Sequence, residues 1–299
     1  MPKQLQGTLM MLFAAMIWGL SFVAQSAGME FIGPFTFQAA RQTLGVIVLL
    51  PFIYLRDRKN PNDPLIPRTK AQKKRLLISG LICGALMFAL CSFQQIGLTV
   101  EGFTVGKSGF ITALYVLFTP LVAIFLGRKP HPLLAVASVI ALAGLYLLCV
   151  DGPIRLGMGE IYTLLCAFVS AFHILYLDHV VTTQDGVRLA AAQMAVSAVL
   201  SLFVSILFEH PTMQTLAACW LPIVYSGVFS CGIAFTLQVL SQKLIGPTLL
   251  AITMCMESVF AAIFGWLILG EIIPLKGIIG CALMFIGILL GQLFGTKKE

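Results

Sequence analysis

The sequence predicts an all-α polytopic membrane protein with ten transmembrane helices, arranged as two inverted-topology five-helix repeats. Three observations predict it. Of 299 residues, 59% are hydrophobic and only 10% charged, with a mean hydropathy of +0.98, whereas soluble domains are about 45–50% apolar and about 25% charged. The apolar residues gather into ten stretches of roughly 20, the length that crosses a hydrocarbon core of about 30 Å. Lysine and arginine collect in alternate loops between those stretches. Little chain is left for a soluble domain, which excludes a soluble enzyme, a nucleic-acid binder and a secreted scaffold.

In chain order, the first span is Gly7 to Ala27. Lys3 precedes it in the manner of a secretory signal, but a stretch of about 21 residues with Trp18 at its middle is too long for a signal core and is read as a retained helix. The second runs from Pro34 to Leu55, and a loop carrying eight basic residues leads to the third, Leu76 to Leu98. The fourth, Phe103 to Leu126, contains Pro120, which removes a backbone bond to Val116 and either opens that carbonyl to a cavity or bends the helix. The fifth to seventh are Pro132 to Val150, Gly159 to Val180 and Leu189 to Phe208. Thr215 to Leu240, Pro247 to Leu269 and Leu275 to Phe294 complete the ten.

Orientation follows from the basic residues. An N-terminus inside places 15 Lys and Arg on the inner side and two, Arg155 and Lys276, outside, with Arg41 and Lys107 left within spans. Both termini are therefore expected to be cytoplasmic, in a multi-pass plasma-membrane protein whose net charge of +7 lies on that face. Ser79 and Gly80 match Ser226 and Gly227 at a shift of 147, and Leu126 and Gly127 match Leu269 and Gly270 at a shift of 143. With five spans per half, residues 1–150 and 151–299 enter the membrane from opposite sides, the inverted repeat of secondary transporters.

Particular segments resemble a known family. Gly109 to Tyr115 and on through Pro120 to Gly127 resembles the fourth helix of EamA-domain proteins of the drug/metabolite transporter superfamily. Met256, Glu257, Ser258, Val259 and Phe260, running to Leu269, Gly270 and Glu271, resembles the ninth, and Trp18 and Gly19 fit the first. Ser258 stands where the family often has proline, and Arg128 where the first repeat often has glutamate. The resemblance covers essentially the whole chain. It implies a central cavity lined by helices one to four and six to nine, with the fifth and tenth as peripheral supports, and substrates that range over small metabolites and drugs.

A charge at mid-bilayer costs at least about 2.5–3.5 kcal/mol, so ionisable residues inside spans default to function or pairing. Glu257 lies ten residues into the ninth span, about 15 Å deep at 1.5 Å per residue. It is either a structural carboxylate or a group for substrate-amine recognition or proton coupling. Arg41, with Gln38 and Gln42 beside it, is suited to holding a carboxylate or phosphate through its two-pronged guanidinium; the alternative is an arginine reaching the headgroups. Lys107, near the start of the fourth span, faces the same choice. Ser108, Thr112, Tyr115 and Thr119 recur at helical spacing, either as packing glue or, for Tyr115, as cavity wall. Trp18, Ser21 and Gln25 stack likewise on the first helix, and Trp18 with Gln25 enters the substrate-binding set. His173 is the second proton-coupling candidate, against a buried, satisfied imidazole. The glycines of the tenth helix, Gly287, Gly291 and Gly295, either pack within the bundle or join two copies in a homodimer.

No catalytic constellation, metal ligand set or cofactor motif stands out. The eight cysteines are scattered singly without a Cys-x-x-Cys pair, as small buried hydrophobes. The lack of a Walker motif excludes ATP as the driving force. The leading expectation is a secondary transporter, not an enzyme, that moves a small polar metabolite, an amino acid or organic anion, across the bilayer by alternating access. An ion channel or a membrane-embedded lipid-handling protein is the alternative.

Overall fold

A computed structural model describes residues 2–101, 105–128, 131–150, 157–269 and 274–294. The secondary structure among them is helical. Nine helical stretches are long and apolar enough to cross a membrane, and the shorter Pro132–Leu148 is the fifth in order, completing the ten expected spans.

The first span is α1, Lys3–Met29, and the second α2, Pro34–Lys59, opened by a proline whose fixed φ suits a first helical turn. The third, α3, Lys70–Leu98, begins six residues before the apolar run. Thr69 and Gln72 form a reciprocal cap there, which draws the basic segment 70–75 into the helix. The fourth span is two helices, α4 Val105–Thr112 and α5 Tyr115–Phe125. At the join the backbone tightens to i→i+3 bonds from Leu114 to Ile111, Val116 to Ala113 and Leu117 to Leu114. Pro120 lies inside α5, so the interruption falls more than one turn before it. Then come α6 Pro132–Cys149, α7 Met158–Val181 and α8 Gly186–Phe208.

The eighth span departs most from a single helix. Short α9 Met213–Ala218 and α10 Trp220–Tyr225 lead into a π-helical stretch, Ser226–Ala234, and then α11, Phe235–Gln242. The ninth is α12 Pro247–Met254 and α13 Met256–Leu269, broken at Cys255, although Ser258 is not a proline. The tenth is α14, Leu275–Phe294.

The principal packing partners cross between halves. The second span lies on the seventh and eighth, the third on the sixth and seventh, the first on the eighth and ninth, the fourth on the sixth, and the fifth on the tenth. Adding five to each span number maps this set onto itself: third-on-sixth becomes eighth-on-first, and fourth-on-sixth becomes ninth-on-first. That is the signature of an inverted two-repeat bundle.

Glycine permits the closest approaches. A Cβ on Gly19 would stand 2.8 Å from the Ala261 nitrogen and the Glu257 carbonyl oxygen, and one on Gly144 would stand 2.4 Å from the Gly280 carbonyl oxygen. Gly287 lies against Ala137 and Ala141 of α6, and Gly291 against Leu249 of α12, so these two glycines of the tenth span pack within the chain.

The bundle is apolar outside, and its buried core carries a set of polar side chains among the apolar ones. Val199, Phe203 and Ile206 of α8 face outward, while Gln193, Ser197, Ser201 and Ser205, repeating every fourth residue on the same helix, are fully buried. Gln38 of α2 donates to Ser197 Oγ at 3.4 Å, and Thr36 and Ser205 hydroxyls lie 2.6 Å apart. Gln42 of the same helix as Gln38, also fully buried, has neither amide atom paired among the described residues.

Each end of the bundle has a tie between halves. At the basic end, Arg56 grips Asp185 with both Nη atoms; Arg188 reaches Asp185 at 2.7 Å and also bonds Asp57. Asp185 simultaneously caps α8 by accepting from the Val187 and Arg188 backbone N–H groups. Arg128 pairs with Asp178 at 2.6 Å. At the opposite end Glu209 accepts from the Phe35 and Thr36 backbone N–H groups at 2.9 and 2.7 Å and from the Thr36 hydroxyl. It supplies the cap that α2 lacks at its own N-cap, Gly33.

Candidate functional site

A cavity of about 90 Å³ lies between the halves, bounded by spans one to four, six, eight and nine; the seventh span, expected in the wall, contributes no lining residue. On the same measure a water occupies about 10–15 Å³, so the space suits a small molecule. Breaks in regular helix border it. Tyr115 opens α5 just past the α4–α5 join, and Met254 and Glu257 flank the interruption at Cys255. A Cβ on Gly109 would lie 3.6 Å from Ser258 Oγ, which sets the two broken spans side by side.

The close fit of Gly19 against α13 brings α1 and Glu257 together and aims Trp18 into the cavity. The Trp18 ring meets Phe235 edge-on, centroids 4.9 Å apart, while its indole N–H lacks a hydrogen-bond partner among the described residues. The same holds for Gln25 Oε1 and Gln238 Oε1, both on residues of the cavity wall. Across the space, Gln94 of α3 donates to Thr112 Oγ1 at 3.3 Å.

Two opposite charges share this wall. Arg41 is 3% exposed and Glu257 7%, and the ion pairs among the described residues, all at the basic end, include neither. Arg41 stands 5.7 Å from the centroid of the Phe37 ring, and its Nε is buried without an acceptor. Two buried charges without counter-ions are costly in a low-dielectric interior. The arrangement can satisfy one anionic and one cationic group of a ligand at once.

Of the residues singled out in the sequence, Trp18, Gln25, Arg41, Tyr115, His173 and Glu257 meet in the wall. Gln38 and Gln42, expected beside Arg41, are not among the residues of this wall: Gln38 bonds Ser197 of α8, and Gln42 is fully buried. The side chain of Lys107 lies outside the described residues. His173 lies 3.0 Å, through Nε2, from Gln193 Oε1, so it is both hydrogen-bonded and at the cavity. Cys91, Gln94, Cys166, Ser170, Ser230 and Gln238 also line the space without having been marked as binding residues. The 4-and-3 spacing of Cys166, Ser170 and His173 was the available signal for α7, and amides inside apolar runs were the signal for Gln94 and Gln238.

Residues 5–150 and 157–291 each match the EamA-like transporter family. The chain belongs to that family. Over 296 residues this EamA-like transporter is 25% identical to an uncharacterized transporter of Archaeoglobus fulgidus, covering 97% of this chain and 87% of that one. It is 23% identical over 295 residues to the uncharacterized transporter YoaV of Bacillus subtilis, covering 95% and 96%. A crystal structure superposes with a TM-score of 0.78 at 20% identity, covering 97% of both chains, a likeness of fold. The EamA-like chain is thus a multi-pass membrane transporter.

Proposed function

We propose that this EamA-like transporter is a secondary carrier for a small zwitterionic or anionic metabolite, best fitted by an amino acid, and that it works by alternating access at the plasma membrane with both termini cytoplasmic. The observation that carries the reading is the pair of buried, uncompensated charges, Arg41 and Glu257, in one cavity wall. A substrate carboxylate takes the guanidinium fork. Its amine takes Glu257, and Trp18 and Phe235 provide an aromatic surface for the remaining atoms. The ties at the two ends of the bundle join opposite halves, which supports their breaking and forming in turn as the halves rock about the site.

Coupling is assigned to a proton carried by Glu257 or, if that carboxylate serves the substrate amine alone, by His173. The partners are the substrate and the lipid bilayer. The test is saturable counterflow in proteoliposomes together with binding to purified protein. Losing a charge-assisted hydrogen bond costs about 1.5–3 kcal/mol, so Arg41→Gln, and Arg41→Lys with its lost fork, weaken binding at least about tenfold at preserved expression. Binding within twofold of the parent in both variants would remove Arg41 from the site and the charged substrate with it.

A further inference from the structure

A second cavity, of about 140 Å³, lies at the basic end, outside the transport site. On the measure in which a water takes about 10–15 Å³, it holds roughly ten water-sized groups. The loop after α2 contributes Pro64, Leu65 and Pro67; the first turns of α3 contribute Gln72 and Arg75; and the α7–α8 connection contributes Gln184 and Asp185.

Three features fix the chemistry it accepts. Arg75 is exposed and forms no ion pair among the described residues, so a guanidinium fork stands ready at the rim. Gln184 is 6% exposed; its Nε2 donates to Ser79 Oγ at 2.7 Å, but its Oε1 is buried with no donor. A buried acceptor left unsatisfied is costly, and a ligand hydroxyl or ammonium removes that cost. Asp185, the one carboxylate in the wall, is already engaged by Arg56 and Arg188, so it does not stand as a free negative charge against an anion.

The level of the site matters too. Arg75 is the last charged residue before the apolar run Leu76, Leu77, Ile78, and it closes the segment that holds Lys70, Lys73 and Lys74. Such basic segments at a helix end attract anionic headgroups. The geometry points to a binding site for a phosphate ester that carries hydroxyl donors, its phosphate on Arg75 and a hydroxyl on Gln184 Oε1. A phosphoglycerol lipid headgroup and a free glycerol phosphate share this chemistry. Since Gln184 and Asp185 join this cavity to the Arg56–Asp185–Arg188 tie, a ligand here rests against the contact that links the two halves at the basic end.

The experiment uses the full-length protein purified in neutral detergent, titrated with dioctanoyl phosphatidylglycerol, dioctanoyl phosphatidylcholine or glycerol 3-phosphate and followed by thermal shift and native mass spectrometry. Phosphatidylglycerol is expected to bind and raise the melting temperature. Phosphatidylcholine, which has the phosphate but no hydrogen-bond donor in its headgroup, binds at least about tenfold more weakly. Arg75→Gln weakens phosphatidylglycerol at least about tenfold, while Lys74→Gln, a neighbouring charge outside the wall, changes it less than about threefold. Gln184→Met narrows the preference over phosphatidylcholine, leaving the part owed to charge, since phosphatidylcholine is zwitterionic and phosphatidylglycerol anionic. Binding of glycerol 3-phosphate as tight as that of the lipid assigns the site to a soluble ester, and binding of the lipid alone assigns it to the membrane. Equal losses in Arg75→Gln and Lys74→Gln, equal binding of the two lipids, or no binding of either glycerol compound would overturn the site.

Discussion

At the scale of single residues, charges are handled in opposite ways at the two depths of the protein. Near mid-membrane, Glu257 and Arg41 form no ion pair among the described residues; at the basic end, Asp185 has two arginines and two backbone donors. If Glu257 carries the coupled proton, Glu257→Gln abolishes pH-driven accumulation in proteoliposomes and spares substrate exchange; loss of folded yield and both activities together marks a structural carboxylate, and unchanged uptake transfers the role to His173. Burial pushes the Asp185 carboxyl up, but hydrogen bonds from Arg56 and the Arg188 backbone, with the charges of both arginines, outweigh it and hold the group below the ordinary carboxylate range. A carboxyl depressed in this way contributes stability that is complete above its unfolded value of about 3.9 and is lost as the pH falls through the folded value. Melting temperature therefore owes this group no pH dependence between about pH 5 and 8, and its contribution goes only in stronger acid, below about pH 4. Asp185→Asn removes the carboxylate shared by Arg56 and Arg188, leaving them Asp57, and lowers stability at neutral pH by less than the about 3–5 kcal/mol of an isolated buried pair, measurable as a fall in melting temperature that removes the acid limb.

At the scale of elements, the decisive features are the breaks and close approaches. Gly19 sets α1 on α13 so tightly that a methyl group meets backbone atoms. Overpacking of this kind costs about 1–3 kcal/mol, and because it pushes Glu257 away from Trp18, Gly19→Ala should lower both melting temperature and substrate affinity. Gly144→Ala, at the α6–α14 crossing remote from the cavity, should lower only the first. Thermal melts and binding titrations on the pair separate the two effects. Much of this was legible in the sequence, for stated reasons: span number follows from apolar length, and Pro34, Pro132 and Pro247 open helices where a missing N–H costs nothing. The joins at 113–114 and Cys255 were not, because no proline or glycine occupies those positions; tertiary contact between the fourth and ninth spans accompanies them. The π-helical stretch was equally hidden: Ser226 and Gly227 repeat Ser79 and Gly80, which lie in ordinary α-helix. The bond from Gln38 to Ser197 of α8 could not be read from its place beside Arg41, because adjacency on a helical net does not fix which neighbour a residue faces.

At the scale of the whole molecule, the distribution of basic residues makes a prediction of its own. A cysteine introduced at Lys70 should resist an impermeant thiol reagent applied to intact cells and react in inverted vesicles; labelling from outside would reverse the orientation. The interlocking of the two halves bears on how such a chain is made. Since the first span finds its main neighbours in the eighth and ninth, and the second in the seventh and eighth, the leading half enters the bilayer with little to pack against. Arg41, Gln42 and Gln95, all buried once the bundle is complete, must meanwhile face lipid, stray water or the insertion machinery, at a cost of a few kcal/mol for the arginine alone. The buried polar side chains that prepare the protein to hold a solute thus make the half-synthesised chain its most vulnerable form, and the last spans to be translated are the ones that end that exposure.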